Sequence, residues 1–189
     1  MRPVRRGPSP RTLDFEDYTE AKADLVARLG PYCSFCERRI PTNLAVEHIQ
    51  AKHLHPNLIG RWDNFLLACV NCNSTKGKKN VLLSELLLPD RDNTFTAFDY
   101  LEDGRVLPTE SLTRDRKEMA SASLALTGLE KTGSETQDQN EEVVALDRAS
   151  QRMQSLAHRP SVKGQCDERS RKQGAKRSSS PDREPVGLF

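Results

Sequence analysis

Cys33-Ser34-Phe35-Cys36 and, much further along, Cys69-Val70-Asn71-Cys72-Asn73-Ser74-Thr75-Lys76-Gly77 are the stretches on which the fold turns. Each Cys-x-x-Cys sets two thiols on one tight knuckle, and two knuckles complete a tetrahedral set for Zn2+ with Zn–S bonds of roughly 2.3 Å. Four cysteines leave no open position on the metal, so such a site is structural. Its free energy supplements a core that a unit of about fifty residues has too little apolar area to build. Four unrelated buried thiols would not explain the paired spacing. The fifth cysteine, Cys166, stands unpaired in a polar stretch and has no place in this scheme.

Between the knuckles lie Val46-Glu47-His48-Ile49 and Trp62-Asp63-Asn64-Phe65, and Asn73 follows directly on the last cysteine. Singly these are ordinary: a histidine at a strand end is more often structural than catalytic, and an asparagine in a loop is usually a turn residue. Together they form a set, because the zinc ties the histidine-bearing segment to the one carrying Asn73. Glu47 and Asn73 offer two oxygen ligands suited to Mg2+ or Mn2+. His48 beside them is placed to take a proton from an attacking water, and a cation on the phosphate would stabilise the charge that develops, which is what phosphodiester hydrolysis needs. Lys76, Lys78 and Lys79 follow closely and are read as contacts to a nucleic-acid backbone. Trp62 reads as a packing plug rather than a base-stacking residue. His53 and His55 are read as solvent-facing or phosphate-contacting.

The wider chain sets the limits. With 189 residues and 35% hydrophobic content it supports one compact core with polar flanks. Lys and Arg (29) nearly balance Asp and Glu (27), so any nucleic-acid surface must arise from local clustering. No apolar run approaches the ~20 residues that span a bilayer, and Met1-Arg2-Pro3-Val4-Arg5-Arg6 lacks the apolar stretch of a signal peptide. The reading is a soluble, cytoplasmic protein with no membrane partner.

Four segments are expected. Residues 1–30 hold an extended Pro/Arg arm and a helix from Asp14 to Leu29, ended by Gly30-Pro31. Residues 31–80 hold the knuckles, strands near Leu44-Ala45-Val46 and Phe65-Leu66-Leu67-Ala68, and a short helix from Val70 to Lys79. Residues 81–158 form a mostly helical extension, with Phe95, Phe98 and Tyr100 before a turn at Asp103-Gly104, then helices over Leu112–Leu129 and Glu141–His158 joined by a polar linker. Residues 159–189 are a polar, basic tail with too little apolar surface to offset its ordering entropy, so it is expected to be disordered.

In this order, C-x-x-C, E-H-I, W-x-N and C-x-x-C-N-x-x-K-G resemble the HNH (ββα-metal) endonucleases. The resemblance implies an α+β fold: a small ββα-metal core stapled by the four-cysteine zinc site, with flanking helices. It also implies that Glu47 and Asn73 bind the catalytic Mg2+ or Mn2+, that His48 is the general base, and that Asn64 holds the active-site loop. Many members carry histidine where this chain has Asn73, so it is an HNN variant, as in the HNH domains of RNA-guided CRISPR nucleases. An amide oxygen in place of an imidazole nitrogen favours Mg2+ and Mn2+ over Zn2+ and Ni2+.

More narrowly, Arg2-Pro3, Glu47-His48 followed by Lys52, Trp62-x-Asn64, Cys72-Asn73-x-x-Lys76-Gly77 and Leu88-Pro89-Asp90-Arg91-Asp92-Asn93 resemble HNH nucleases of Septu-type anti-phage systems. That likeness covers about residues 1–158, most strongly in the middle. It implies an effector nuclease acting on nucleic acid, with DNA the favoured substrate, beside a partner ATPase. The alternative is a catalytically inactive zinc-knuckle module that binds nucleic acid or protein, for which Glu47, His48 and Asn73 would be dispensable.

Overall fold

Ala21, Leu25 and Leu29, four apart, form the buried stripe of the first helix, α1 (Ala21–Leu29), which closes where Gly30 takes a positive φ of 76° and donates to the Val26 carbonyl. The computed structural model describes residues 1–101, 105–131, 143, 146, 147 and 149–151. The expected turn at Asp103-Gly104, the linker from residue 132, the tail over 159–189, Cys166 and much of the expected helix over Glu141–His158 lie outside the described residues.

The expected helix from Asp14 begins later than its periodicity implies. Asp17 caps a 3-10 turn (Tyr18–Glu20), its carboxylate accepting from the Thr19 backbone N–H at 2.9 Å and from the Thr19 hydroxyl at 2.8 Å. Phe15 therefore sits on extended chain before the cap, buried and stacked on Trp62 with ring centroids 6.0 Å apart. Its backbone N–H donates to the Gly60 carbonyl at 2.9 Å. A Cβ at Gly60 would stand 2.2 Å from the Phe15 carbonyl oxygen, so only glycine admits this approach.

The centre of the chain folds in ββα order. Strands β1 (Ala45–His48) and β2 (Phe65–Ala68) pair antiparallel, with Ala45 opposite Ala68 and His48 opposite Phe65. Every residue of β2 is buried, which is why Phe65-Leu66-Leu67-Ala68 reads as a continuous apolar run rather than an alternating one. Helix α2 (Val70–Lys76) follows at once and ends at Gly77, φ 52°. Helix α1 packs on β2, and α2 on β1.

Downstream, β3 (Phe98–Tyr100) and β4 (Val106–Pro108) form a second antiparallel hairpin, and helix α3 (Arg114–Thr127) packs on β4 and α2. The Ser123 hydroxyl, buried in α3, accepts from the Leu87 backbone N–H at 2.8 Å and donates to the Met119 carbonyl at 2.8 Å, tying the Leu86-Leu87-Leu88 run to the helix. Beyond α3, Val143, Leu146, Asp147 and residues 149–151 are helical. Helices and small antiparallel sheets thus make an α+β fold. Among the described residues no helix is long and apolar enough to cross a membrane.

The Pro/Arg arm is extended, as expected, but it is docked rather than free. Val4 is buried and its N–H donates to the Pro89 carbonyl at 2.7 Å. Arg6 donates to the Phe65 carbonyl at 2.9 Å and pairs with Asp90 at 3.0 Å. The Trp62 indole N–H donates to the Gly7 carbonyl at 2.9 Å, and the Arg28 guanidinium lies 5.0 Å from the Trp62 ring centroid. Backbone carbonyls that a strap would leave unpaired are met by side-chain donors of the domain, which is why a polar segment can pack here.

Candidate active site and metal centre

The two knuckles meet. Ser34 donates its backbone N–H to the Leu67 carbonyl at 2.7 Å, and Leu67 returns its N–H to the Ser34 hydroxyl at 3.2 Å, so the first knuckle is clipped to β2. Cys69 is the N-cap of α2, its sulfur accepting from the Cys72 N–H at 3.5 Å. The ligand atoms of Cys33, Cys36, Cys69 and Cys72 lie within 4.8 Å of one another, all buried, an arrangement able to hold a metal ion. Burial pushes the Cys33 thiol up, while hydrogen bonding with Cys33 pulls Cys36 and Cys69 down. Converging sulfurs cannot all shed protons without a cation among them, and a dication removes that repulsion. Beside them, burial opposes the charge on Arg38, but the Cys36 and Cys69 thiolates and the Asp147 carboxylate outweigh it and raise its pKa; Arg38 is ion-paired with Asp147.

The last two residues of β1 are Glu47 and His48, both 6% exposed. His48 lies between aromatic rings, edge-on to Tyr18 (centroids 4.7 Å apart) and to Phe65 (5.3 Å). Its Nε2 is 2.9 Å from the Ile59 carbonyl oxygen. A carbonyl can only accept, so Nε2 carries the proton and Nδ1 of the neutral ring is left as the acceptor. Burial lowers the imidazole pKa below its ordinary value; the Ile59 carbonyl opposes this, and the charges of Lys52 and Lys76 reinforce it. Burial and the two lysines thus favour the neutral ring.

Ile59 belongs to the loop between β1 and β2, and Asn64 closes that loop from its far end. The Asn64 amide accepts from the Gln50 N–H at 2.9 Å and donates to the Gln50 carbonyl at 3.0 Å and the Leu58 carbonyl at 3.3 Å. One buried side chain thus satisfies backbone groups at the start of the loop, at Gln50, and at Leu58, next to the His48 acceptor Ile59.

Lys76 departs from expectation. Rather than facing a nucleic-acid backbone it is 1% exposed, its ammonium 2.7 Å from the Glu47 carboxylate and 2.7 Å from the His48 carbonyl oxygen. The cause is helical spacing: Cys69, Cys72, Asn73 and Lys76 fall at i, i+3, i+4 and i+7, one stripe of α2. A stripe with two cysteines of the buried four-cysteine cluster faces inward, and Lys76 goes with it; that periodicity was the available signal. Lys78 and Lys79, past the Gly77 turn, are exposed. Asn73 is half-buried on the same stripe. Burial raises the Glu47 pKa, against the pull of Lys76 and, after it, Lys52.

Lys76 ties the end of α2 to β1 through two consecutive residues, and both members of the ion pair are out of water. Breaking a buried pair from one side leaves the other charge uncompensated, at about 3–5 kcal/mol. Lys76→Met is therefore expected to destabilise by that order in chemical denaturation without added Mg2+ or Mn2+. The double variant Lys76→Met with Glu47→Leu should cost less than the two singles combined. Strict additivity would show that the two side chains do not interact in solution.

Residues 32–79, the span from the first knuckle past α2, match the family model described as HNH endonuclease. This unit is an HNH endonuclease domain, and its hairpin, helix and clustered cysteines are the architecture expected for one. The chain is also similar to the Septu protein PtuB of Bacillus thuringiensis, 32% identical over 81 residues that cover 40% of this chain and 32% of the relative. The matched stretch therefore spans about a third of that relative's length.

Proposed function

We propose that the protein is a metal-dependent endonuclease that hydrolyses phosphodiester bonds in nucleic acid, with DNA the favoured substrate. The observation that carries this reading is His48: a buried neutral imidazole, anchored through Nε2 so that Nδ1 is the acceptor, beside a buried carboxylate in an HNH domain. His48 takes the proton of the attacking water at Nδ1. Asn64 holds the loop that anchors the ring, and Lys76 holds Glu47.

Glu47 and Asn73 are the proposed ligands of the catalytic Mg2+ or Mn2+. The Glu47 carboxylate and the Asn73 amide oxygen are hard donors of the kind Mg2+ and Mn2+ take, and Glu47 would bind the metal by sharing or exchanging the Lys76 ammonium that holds it in this structure. When bound, the metal supplies charge stabilisation at the phosphate and the leaving oxygen. The four cysteines are proposed to hold a structural Zn2+, and Lys78 and Lys79 to contact phosphates outside the centre.

The likeness to a Septu protein supports a role in anti-phage defence, and the resemblance to Septu-type nucleases favours action beside a partner ATPase in the cytoplasm. The deciding experiment is a cleavage assay on plasmid, single-stranded DNA and RNA with Mg2+, Mn2+ or EDTA, wild type beside His48→Ala. Metal-independent cleavage, or none on any substrate with or without the ATPase, would refute the reading and favour a non-catalytic zinc module.

The four segments 1–30, 31–80, 81–158 and 159–189 remain our proposed organisation. Residues 159–189 are rich in Ser, Arg, Lys and Pro, with the acidic residues Asp167, Glu168, Asp182 and Glu184 and few apolar side chains. Truncation after His158 is expected to leave the melting transition unchanged while weakening nucleic-acid binding at low salt. A truncated chain that no longer folds would assign the tail a structural role.

A further inference from the structure

Lys52 lies four residues beyond His48, in the loop that Asn64 closes, and its side chain is exposed. Its ammonium donates to the Tyr18 hydroxyl at 3.0 Å and stands 4.5 Å from the centroid of the same ring. Tyr18 is the residue whose ring packs edge-on against His48 at 4.7 Å. It is held in place by the 3-10 turn that Asp17 caps. The N-terminal segment thus delivers one aromatic side chain that touches the proposed base on one side and an exposed ammonium on the other.

The charges around the site single out this lysine. The Lys76 ammonium is buried and already matched by Glu47 and the His48 carbonyl. Lys79 points to the Ala125 carbonyl of α3 at 3.4 Å. Lys52 is solvent-accessible, and its ammonium lies against the ring that packs on His48. An ammonium so placed is free to exchange a tyrosine hydroxyl for a stronger, charge-assisted bond to a phosphate oxygen.

We propose that Lys52 is the phosphate-binding residue of the active site, its ammonium engaging a non-bridging oxygen of the phosphodiester presented to His48, with Tyr18 as the positioning residue that sets both side chains. This rests on the nuclease reading and deepens it. The shared ligand chemistry is a phosphodiester backbone, and the experiment separates its two sources, DNA and RNA.

The test measures binding of fluorescein-labelled duplex DNA and of RNA of equal length by full-length protein. Binding is measured with every variant in the His48→Ala background, so that nothing is cut, over a series of salt concentrations. Loss of one phosphate contact should reduce the slope of log affinity against log salt by about 0.9 on duplex DNA, or about 0.7 on a single strand. Lys52→Met should show that loss and bind on the order of tenfold more weakly at low salt. Lys52→Arg, which keeps the charge, should restore the slope. Tyr18→Phe keeps the ring on His48 but removes the hydroxyl; it should keep the salt slope while lowering single-turnover cleavage in the His48-containing protein.

The polymer on which the slope changes is the one whose backbone Lys52 contacts. An unchanged slope for Lys52→Met on both, or failure of the His48→Ala parent to bind either, overturns the proposal. A slope change with no cleavage by the His48-containing protein would retain the contact and refute the nuclease reading instead.

Discussion

His48→Ala is expected to lower cleavage by between about a hundredfold and about ten-thousandfold, the range a positioned general base contributes. Zinc content and nucleic-acid affinity should stay at wild-type levels. The ring is 6% exposed, packed on Tyr18 and Phe65 and bonded to Ile59, so its removal also costs stability, by about 1–3 kcal/mol. A modest drop in the melting temperature is therefore part of the expectation, and rates should be compared well below it.

The contrast with the proposed metal ligands makes this diagnostic. Asn73→Ala should lose activity through weaker metal binding, so raised Mg2+ or Mn2+ should partly rescue it and should not rescue His48→Ala. Glu47→Ala is a poorer test than Glu47→Gln, because it strands the buried Lys76 ammonium and confounds metal binding with folding. Wild-type cleavage by His48→Ala, under conditions where EDTA stops the reaction, would show the histidine to be structural.

Cys33→Ser and Cys72→Ser are each expected to abolish tight zinc binding and to unfold the unit of β1, β2 and α2. Structural zinc contributes apparent free energies of roughly 10–16 kcal/mol in small domains, as large as the whole stability of a typical one. Here the metal would join a knuckle clipped to β2 with the sulfur that caps α2, so its loss frees both elements together. Metal analysis of purified protein should give one zinc per chain. A chelator or thiol-modifying reagent should release it with loss of the cooperative melting transition. Folded, active protein without zinc, or a Cys72→Ser variant that melts like wild type, would contradict the assignment.

Asn64 illustrates how a local pattern and a tertiary contact divide the work. Trp62-x-Asn64 is visible in the sequence, but the reach of the Asn64 amide to Gln50 and Leu58 depends on how the intervening loop folds back. A change to Asp keeps the acceptor for the Gln50 N–H and loses the donors to both carbonyls.

The α+β class, the HNH character of residues 32–79 and the paired cysteines were legible before any fold was known. All three depend on short covalent spacings: two thiols on a knuckle, an apolar run for a buried strand, a glycine after a short helix. Such patterns are local, and sterics and hydrogen-bond geometry translate them directly. Contacts between residues far apart in the chain came only with the fold. Lys76 turned inward because the stripe of α2 that carries Cys72 faces the buried cluster of four cysteines. The Pro/Arg arm became a strap because Trp62, Arg28 and Pro89 offered partners for its backbone. Tyr18 came to touch both His48 and Lys52 in a segment whose Phe15 backbone approaches the loop closely at Gly60. The inward face of Lys76 was legible in the helical spacing it shares with Cys69 and Cys72, but its pairing with Glu47, the docking of the arm and the Tyr18 contacts depend on packing between elements and on the pairing of buried polar groups, which no local periodicity encodes.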